Sequence, residues 1–573
     1  MISLNSCPKV YTKDQDKAFA PAETVARVKS LLEANCHGVL AKTDRVDTGR
    51  LGIPVFVSSC GPQAAEIMPT RKQMGKGASP EQAEASALME LVERYSFFSF
   101  WSEQSNFTEK TWSQASVCWP DKLIGIDKIL QSVHETLPED QAVKVLDLVS
   151  WKFHPALNLL TEAVEYVPLD LFKKLNEFNG SSAGNTFEES LGQGLCELVE
   201  RHVCCLVDRE RMTLPTIDLD SCEDPVFQDL VNRYQNNGVT IILKDFSLDF
   251  PIPTIGAVAY DSKTFPALSE IVFTAGTAAS PLKAAVRALT EIAQLAGDFE
   301  TSRVYEASGL PKFTAIEQLE WLEQGELKLL NELPSVEHFD ILIELKRMAK
   351  GLAEMGYTSY GVDTTHPDLG VAANYGFVPG FDFRERTPHA SLGLFVGRIL
   401  AEESSFEDAE AGLDVLESIY SDAHFIPFFR GLLALRMQDT SFAAIMFEIA
   451  EPLQPAGPER ALAAFYAAYA LSLEERWVET VPYLDRAIGF DEEVKEYFNL
   501  RGVARFKAGE YQSAAADFEA ALAIDSGSPE DLANLGLCHK FMGNPEQARD
   551  YLEAALALNP ELHYARDHLK DVN

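Results

Sequence analysis

The C-terminal part of the chain repeats every 34 residues, and that period limits what it can fold into. Gly502 returns as Gly536, Gly509 as Gly543, Ala514 as Ala548, Phe518 as Leu552, Ala521 as Ala555 and Asp525 as Asn559. One period earlier, Ala468 stands for Gly502, Trp477 for Tyr511, Leu484 for Phe518 and Ala487 for Ala521. A unit of this length with small residues at fixed places is a pair of amphipathic helices. One pair cannot cover its own apolar face, so neighbours must stack. Ala434 lies a further 34 positions before Ala468, so one or two divergent repeats are expected within 391–455. Pro560 stands just past the last repeat, where a helix should stop.

The first 385 or so residues have a different texture. Short β-rich runs (GIPVFVSS, AVKVLDLVSW, AVEYVPLDLF, VTIILKDFS, PTIGAVAYD and EIVFTAGTA) alternate with helical stretches. That alternation predicts an α/β or α+β domain. The stretch TAIEQLEWLEQGELKLLNELPSVEHFD reads as an acidic, exposed helical insertion. Pro379-Gly380 followed by FDFRERTPHA reads as the end of the domain and the start of a linker.

Composition narrows the function classes. An apolar fraction of 46% supplies large cores, and no apolar run is long enough to span a membrane. The start, MISLNSCPKVYTKDQDK, has no apolar core of a secretory leader. Nine scattered cysteines without a CxxC pair do not make a disulfide framework. The cytoplasm is therefore the expected compartment. A net charge of −38 disfavours nucleic acid as a partner.

Function is written in a second kind of repeat. ELVER occurs at Glu90–Arg94 and again at Glu197–Arg201, a shift of 107 that superposes Glu90 on Glu197 and Glu93 on Glu200. A weaker copy, GTAASPLKAAVRALTEIAQ, shifts by 201 and puts Glu291 on Glu90 and Gln294 on Glu93. At about 100° per residue, Ser86, Glu90 and Glu93 share one helix face. Glu189, Gln193, Glu197 and Glu200 share another, and Arg287, Glu291 and Gln294 a third. The remaining positions are apolar. Carboxylates on apolar helices are costly unless a cation meets them. Oxygen-only ligands suit Mg²⁺, which joins protein carboxylates to substrate phosphates. Arg94, Arg201, Arg287 and Lys76 stand among the acids and suit phosphate oxygens. A metal, arginines and a phosphorylated nucleotide form the economical combination.

No Walker A loop occurs. Ser182-Ala183-Gly184-Asn185 precedes the second acid-bearing helix and can offer backbone N–H groups to an anion. No Ser/His/Asp or Cys/His constellation is evident. Cys196 and Cys204-Cys205 read as packed, Cys60 as a buried strand residue and His366 as a loop residue.

Four separated segments, GKGAS…SALMELVERY, SSAGNT…ESLGQGLCELVERH, AAVRALTEIAQ and GVAANYGFVPG, resemble the YcaO family over roughly residues 15–385. The helical repeats carry the tetratricopeptide signature. The resemblance implies an α+β YcaO-type ATP-binding domain at 1–385, followed by an all-α tetratricopeptide superhelix at 386–573. It implies ATP and Mg²⁺ as cofactors. Glu90, Glu93, Glu197, Glu200 and Glu291 match the metal-binding acids. Ser182, Asn185, Glu189, Arg201 and Arg287 match nucleotide-contacting positions. Lys76 and Arg94 fall in the same motifs, and Lys17 and Thr24 in DKAFAPAET match a Lys and a Ser/Thr near the phosphates. Ser86 and Gln193 join the set from their helix faces. The implied reaction is ATP-dependent activation of a peptide-backbone amide, giving an azoline or a thioamide in a peptide or protein substrate. A sulfur-transfer or methylthiotransferase partner would dock on the repeats, and a homodimer is compatible with the chain. The alternative is a non-enzymatic ATP-binding accessory factor of a ribosomal-protein methylthiotransferase. Two departures stand out. Tyr375 replaces the Arg usual before the family's VPG, and the chain ends in KDVN rather than the Pro-rich terminus of azoline-forming members.

Overall fold

A computed structural model describes all residues except 1–2, 48–49, 297–298, 301–309, 385–389, 421–422 and 573. The chain forms two compact units, one of Met1–Thr136 with Ser150–Pro388, the other of Leu137–Val149 with His389–Asn573. The boundary expected at 385/386 lies outside the described residues. The thirteen-residue excursion at 137–149 has no local sequence signal.

Among the described residues, the first unit holds three sheets. One is three-stranded and antiparallel, in the order Leu40–Arg45, Val55–Cys60, Lys72–Lys76. The second runs Val272–Thr277, Thr254–Tyr260, Thr240–Asp245, Thr216–Ile217, Leu327–Lys328, with only the last pair parallel. The third runs Thr108–Lys110, Trp151–Asn158, Tyr360–Asp363, Ala373–Phe377, Ser181–Ala183, and Val164–Pro168 pairs with Trp151–Asn158 beside it.

The three acid-bearing helices, Pro80–Ser102, Phe187–Glu210 and Pro281–Ala296, each lie against one of these sheets by the same close approach. A Cβ on Gly75 would meet the Ala87 nitrogen at 2.0 Å and the Ala83 carbonyl at 2.4 Å. A Cβ on Gly276, 201 positions on, would meet the Ala288 nitrogen at 2.4 Å and the Ala284 carbonyl at 2.5 Å. The equivalents at a shift of 107 are Ser182, Ser190 and Gly194. There the glycine has moved from the strand to the helix: a Cβ on Gly194 would meet Ser182 Oγ at 2.8 Å. The repeat read from the acids thus extends back one strand, and close backbone packing explains its small residues.

Four segments depart from their sequence reading. In AVKVLDLVSW, Glu139–Leu146 is a helix and a strand begins only at Trp151. Ala142, Val145 and Leu146 are buried at helical spacing, and V-K-V-L-D-L satisfies a period of two almost as well. AVEYVPLDLF is a strand to Pro168 and a helix from Leu169. The acidic insertion is no long helix. It is a chain of 3-10 turns and a four-residue helix, and it buries Leu319, Leu322, Leu330 and Leu333. Phe381 and Phe383, expected in a linker, are core residues of the first unit.

The second unit is all-helical. From Gly457–Leu473 onward its helices follow the 34-residue period to Pro545–Leu558, and His563–Val572 closes the array. Gly502 faces the Phe518 ring and Gly536 faces Leu552, each 2.9 Å from where a Cβ would sit. Gly509 and Gly543 end their helices at φ +83° and +82°, which only glycine adopts freely. Two helix pairs, Leu392–Glu403 with Phe406–Ile419 and Phe425–Arg436 with Thr440–Ala450, precede the regular repeats. Here Gly431 meets Phe447 as Gly502 meets Phe518. The residue equivalent to Ala468 is therefore Gly431 rather than Ala434, three positions earlier. The helix Glu139–Leu146 packs with Leu392–Glu403 and Phe406–Ile419 in this unit.

Candidate nucleotide and metal site

The acid-bearing helices begin where capping and packing place them. Ser79 accepts from Gln82 N and Thr186 from Glu189 N, and Pro80 and Pro281 sit where the missing N–H costs nothing. Their polar faces converge on one cavity of about 330 Å³. The three copies contribute matching triplets: Ser86, Glu90 and Glu93; Gln193, Glu197 and Glu200; Arg287, Glu291 and Gln294. Arg94 and Arg201 border it from the next turn, and Lys76 from the end of its strand. Lys17 and Thr24 enter from the N-terminal segment, and Asn185 and Glu189 from the start of the second helix.

Ser182 alone among the candidate residues does not border the cavity. Its buried hydroxyl donates to the Ser190 carbonyl at 2.7 Å and accepts from Asn374 Nδ2 at 2.8 Å. It is the strand residue at the close crossing, the counterpart of Gly75. The Gly184 N–H is also committed, donating to the Ala372 carbonyl. Tyr375 is fully buried, its hydroxyl donating to the Phe172 carbonyl at 3.1 Å and its ring 5.5 Å from that of Phe97. It fills core at the position where the resemblance led to the expectation of an Arg, and it does not border the cavity. Cys196, Cys204 and Cys205 are buried free thiols, Cys60 is half-buried in its strand, and His366 packs on Tyr95.

Electrostatics mark the cavity as built for ligands. Burial pushes the Glu93 carboxyl well above the usual range, the Glu197 and Glu90 charges push it further, and Arg94, 3.4 Å away, opposes them. Burial also raises Glu197, with Glu200 adding, against Arg201 and Arg94. Lys76 moves the other way: burial and the neighbouring Arg287 bring it down to about 8, against Glu200 and Glu90. It pairs with Glu291. Arg287 donates to Gln193 at 2.6 Å, while its buried Nε has no hydrogen-bond acceptor among the described residues.

Not every acid is available. Glu189 already accepts from Ala18 N at 2.9 Å and from Asn185 Nδ2 at 3.1 Å, and lies 3.5 Å from Lys17 Nζ. Thr24 in turn donates to Asn185 at 3.0 Å. These residues tie the N-terminal segment to the second helix. Among the described residues, no three His, Cys, Asp or Glu side chains form a ready-made metal cage. The donor set still fits Mg²⁺ with a nucleotide, because Mg²⁺ keeps waters and shares its shell with phosphates. A cation held by these acids would offset the burial that raises Glu93 and Glu197 and the carboxylate repulsion that adds to it. Phosphate oxygens would meet Lys17, Lys76, Arg201 and the open Nε of Arg287.

Three polar cavity residues, Gln15, Gln82 and Thr290, had no place in the sequence reading. Gln82 was reachable, since a shift of 107 puts it on Glu189.

Residues 74–382 match the family model described as YcaO cyclodehydratase, ATP- and Mg²⁺-binding, and residues 505–566 match a tetratricopeptide repeat model. An uncharacterised protein of Methanothermobacter thermautotrophicus is 28% identical over 389 residues, 64% of this chain and 95% of its own length. The ribosomal protein S12 methylthiotransferase accessory factor YcaO of Escherichia coli is 28% identical over 207 residues, 33% of this chain and 35% of its own length. A solved heterocyclase in complex with substrate and cofactor is 21% identical with a TM-score of 0.51, the match covering 67% of this chain and 54% of that one, a likeness of fold alone. The first match takes in more than half of the chain and all three acid-bearing helices, so the chain belongs to the YcaO family, with ATP and Mg²⁺ as its cofactors.

Proposed function

We propose that this protein uses ATP to activate a backbone amide of a peptide or protein substrate, for conversion to an azoline or a thioamide. The observation that carries the reading is a cavity lined by three copies of one helix, with carboxylates and cations interleaved. Among the described residues, no cysteine or histidine borders it. Phosphoryl transfer needs no protein nucleophile; it needs positioning and charge neutralisation. Bound Mg²⁺ would supply charge neutralisation at the phosphates. Lys17, Lys76, Arg201 and Arg287 would orient phosphate oxygens, and Asn185 and Glu189 hold the segment that carries Lys17. The amide oxygen would take the phosphoryl group, leaving its carbon open to a Cys, Ser or Thr side chain of the substrate, or to external sulfide. Phosphate then leaves with the former amide oxygen. The tetratricopeptide array would dock the substrate or a partner along its concave face.

The Escherichia coli relative favours a second reading, a non-enzymatic ATP-binding accessory factor for a methylthiotransferase. One experiment separates the two. The full chain is incubated with Mg·ATP and peptides encoded beside its gene, with and without sulfide, and phosphate release and peptide mass are followed. Peptide-dependent phosphate release with loss of one water, or with exchange of oxygen for sulfur, supports amide activation. Nucleotide binding without turnover, together with stimulation of a methylthiotransferase, supports the accessory role.

A further inference from the structure

The cavity depends on a segment that has little apolar reason to be ordered. Residues 5–19, NSCPKVYTKDQDKAF, bring Gln15 and Lys17 to the cavity. Among the described residues, their buried apolar contact is a cluster of Cys7, Ala18 and Ile341. What holds them is polar. Cys7 N donates to Asp340 Oδ1 at 2.9 Å, Ile341 N to the Cys7 carbonyl at 2.9 Å, and Lys9 N to the Phe339 carbonyl at 2.9 Å. These bonds lay one end of the strap beside the start of the helix Ile341–Glu354.

The strap is then pinned by a nearly dry ionic cluster. Lys9 Nζ sits 2.7 Å from Asp16 and 2.6 Å from Glu344, with the three side chains 5%, 11% and 5% exposed. A second buried cation, Lys283 of the third acid-bearing helix, donates to the Thr12 and Lys13 carbonyls at 2.6 and 3.0 Å. Lys283 stands one helix position-set upstream of Arg287, and under the repeat it is the counterpart of Glu189, which holds Ala18 N. Equivalent positions of two copies therefore grip the strap, while the same helices line the cavity.

A buried Lys between two carboxylates is a poor way to gain stability, because desolvation offsets most of the attraction. It is a good way to fix one geometry. We infer that Lys9, Asp16 and Glu344 are positioning residues: their ionic latch seats the strap so that Lys17 is presented to the nucleotide phosphates. The inference rests on the ATP reading of the cavity. Without the latch, the strap keeps its sequence but loses its register, and Lys17 no longer reaches the site.

A double-mutant cycle on the full chain tests this. Affinity for Mg²⁺ with a non-hydrolysable ATP analogue is measured by calorimetry for wild type, Lys17→Ala, Lys9→Met and the double variant. Each single variant is expected to bind about tenfold more weakly or worse, and the double no more than about threefold worse than Lys17→Ala, because both changes remove one contact. Trypsin should cut Lys9→Met near Lys13 and Lys17 faster than wild type. Wild-type affinity in Lys9→Met, or losses that multiply in the double, would overturn the latch. If Lys9→Met does not fold, Glu344→Gln takes its place in the cycle, and Glu344→Asp should retain binding. Wild type that fails to bind the analogue overturns the ATP reading itself, a different outcome from additive losses.

Discussion

Lys76 gives the cavity a pH signature. Its ammonium is held down to about 8 by burial and by Arg287. A lysine depressed in the folded state contributes stability that is present above its ordinary value and is lost as pH falls through about 8. Nucleotide binding has the opposite sign, because phosphate oxygens favour the charged form. Affinity for Mg·ATP should be flat below pH 8 and weaken above it by up to about tenfold per pH unit. Lys76→Arg stays charged and should remove the slope; calorimetry across this range reads it, and an unchanged slope would detach Lys76 from the phosphates. The acids make a simpler test. Glu197→Gln or Glu200→Gln should weaken Mg·ATP binding about tenfold or more, roughly 1.4 kcal/mol. Glu403→Gln, on an exposed helix face of the other unit, should leave affinity unchanged. Wild-type affinity in both cavity variants would make these carboxylates structural. Tyr375 and Ser182 show the limit of reading single residues. A motif position tells which residue stands where a relative has a ligand, but not which way the side chain packs.

At the scale of elements, the three helices owe their placement to small residues. Gly192 and Gly194 lie two positions apart on the same helix and separate packing from propensity. A Cβ on Gly194 would sit 2.8 Å from Ser182 Oγ and 2.9 Å from the Gly180 carbonyl, whereas one on Gly192 meets nothing within 4 Å. Gly194→Ala should cost about 1–3 kcal/mol of stability by forcing helix and strand apart. Gly192→Ala should gain about 0.5–1 kcal/mol from helix propensity. Thermal melts of the two variants check the pair, and equal effects would mean that the crossing tolerates a methyl group. The helices were legible because spacing, not identity, carries them: Glu90, Glu197 and Glu291 recur with an apolar face behind each. The strand half was legible only in the third copy, within EIVFTAGTA; its recurrence in the other two was hidden because glycine and serine do the same job at Gly75, Ser182 and Gly276. The helix Glu139–Leu146 was hidden for another reason. Its six-residue pattern fits two periods, and the contacts that decide between them come from Leu392–Glu403 and Phe406–Ile419, far along the chain.

For the whole molecule, chain order and compact units do not coincide. The excursion Leu137–Val149 belongs with the helical unit, where Glu139–Leu146 packs on the first helix pair of that unit. A cut after residue 390 would therefore strand an apolar helix face made by Ala142, Val145 and Leu146, all fully buried in the intact chain. Such a face promotes association once exposed. A cut after residue 455 keeps the pair Leu392–Ile419, which packs on it, together with the pair Phe425–Ala450, and removes only the regular repeats. Neighbour-only stacking lets an array lose terminal repeats without unravelling the rest. We expect the 1–390 fragment to aggregate, and the 1–455 fragment to be soluble with Mg·ATP affinity within about threefold of the full chain, since no cavity residue lies beyond 295. If the regular repeats dock the substrate or partner, the 1–455 fragment should keep nucleotide binding and lose peptide-dependent phosphate release. Solubility, melting temperature, analogue affinity and phosphate release on the two fragments test this. A soluble 1–390 fragment would show that the 137–149 segment tolerates exposure. Full peptide-dependent turnover by 1–455 would move the docking surface off the regular repeats and onto the part of the chain that precedes them.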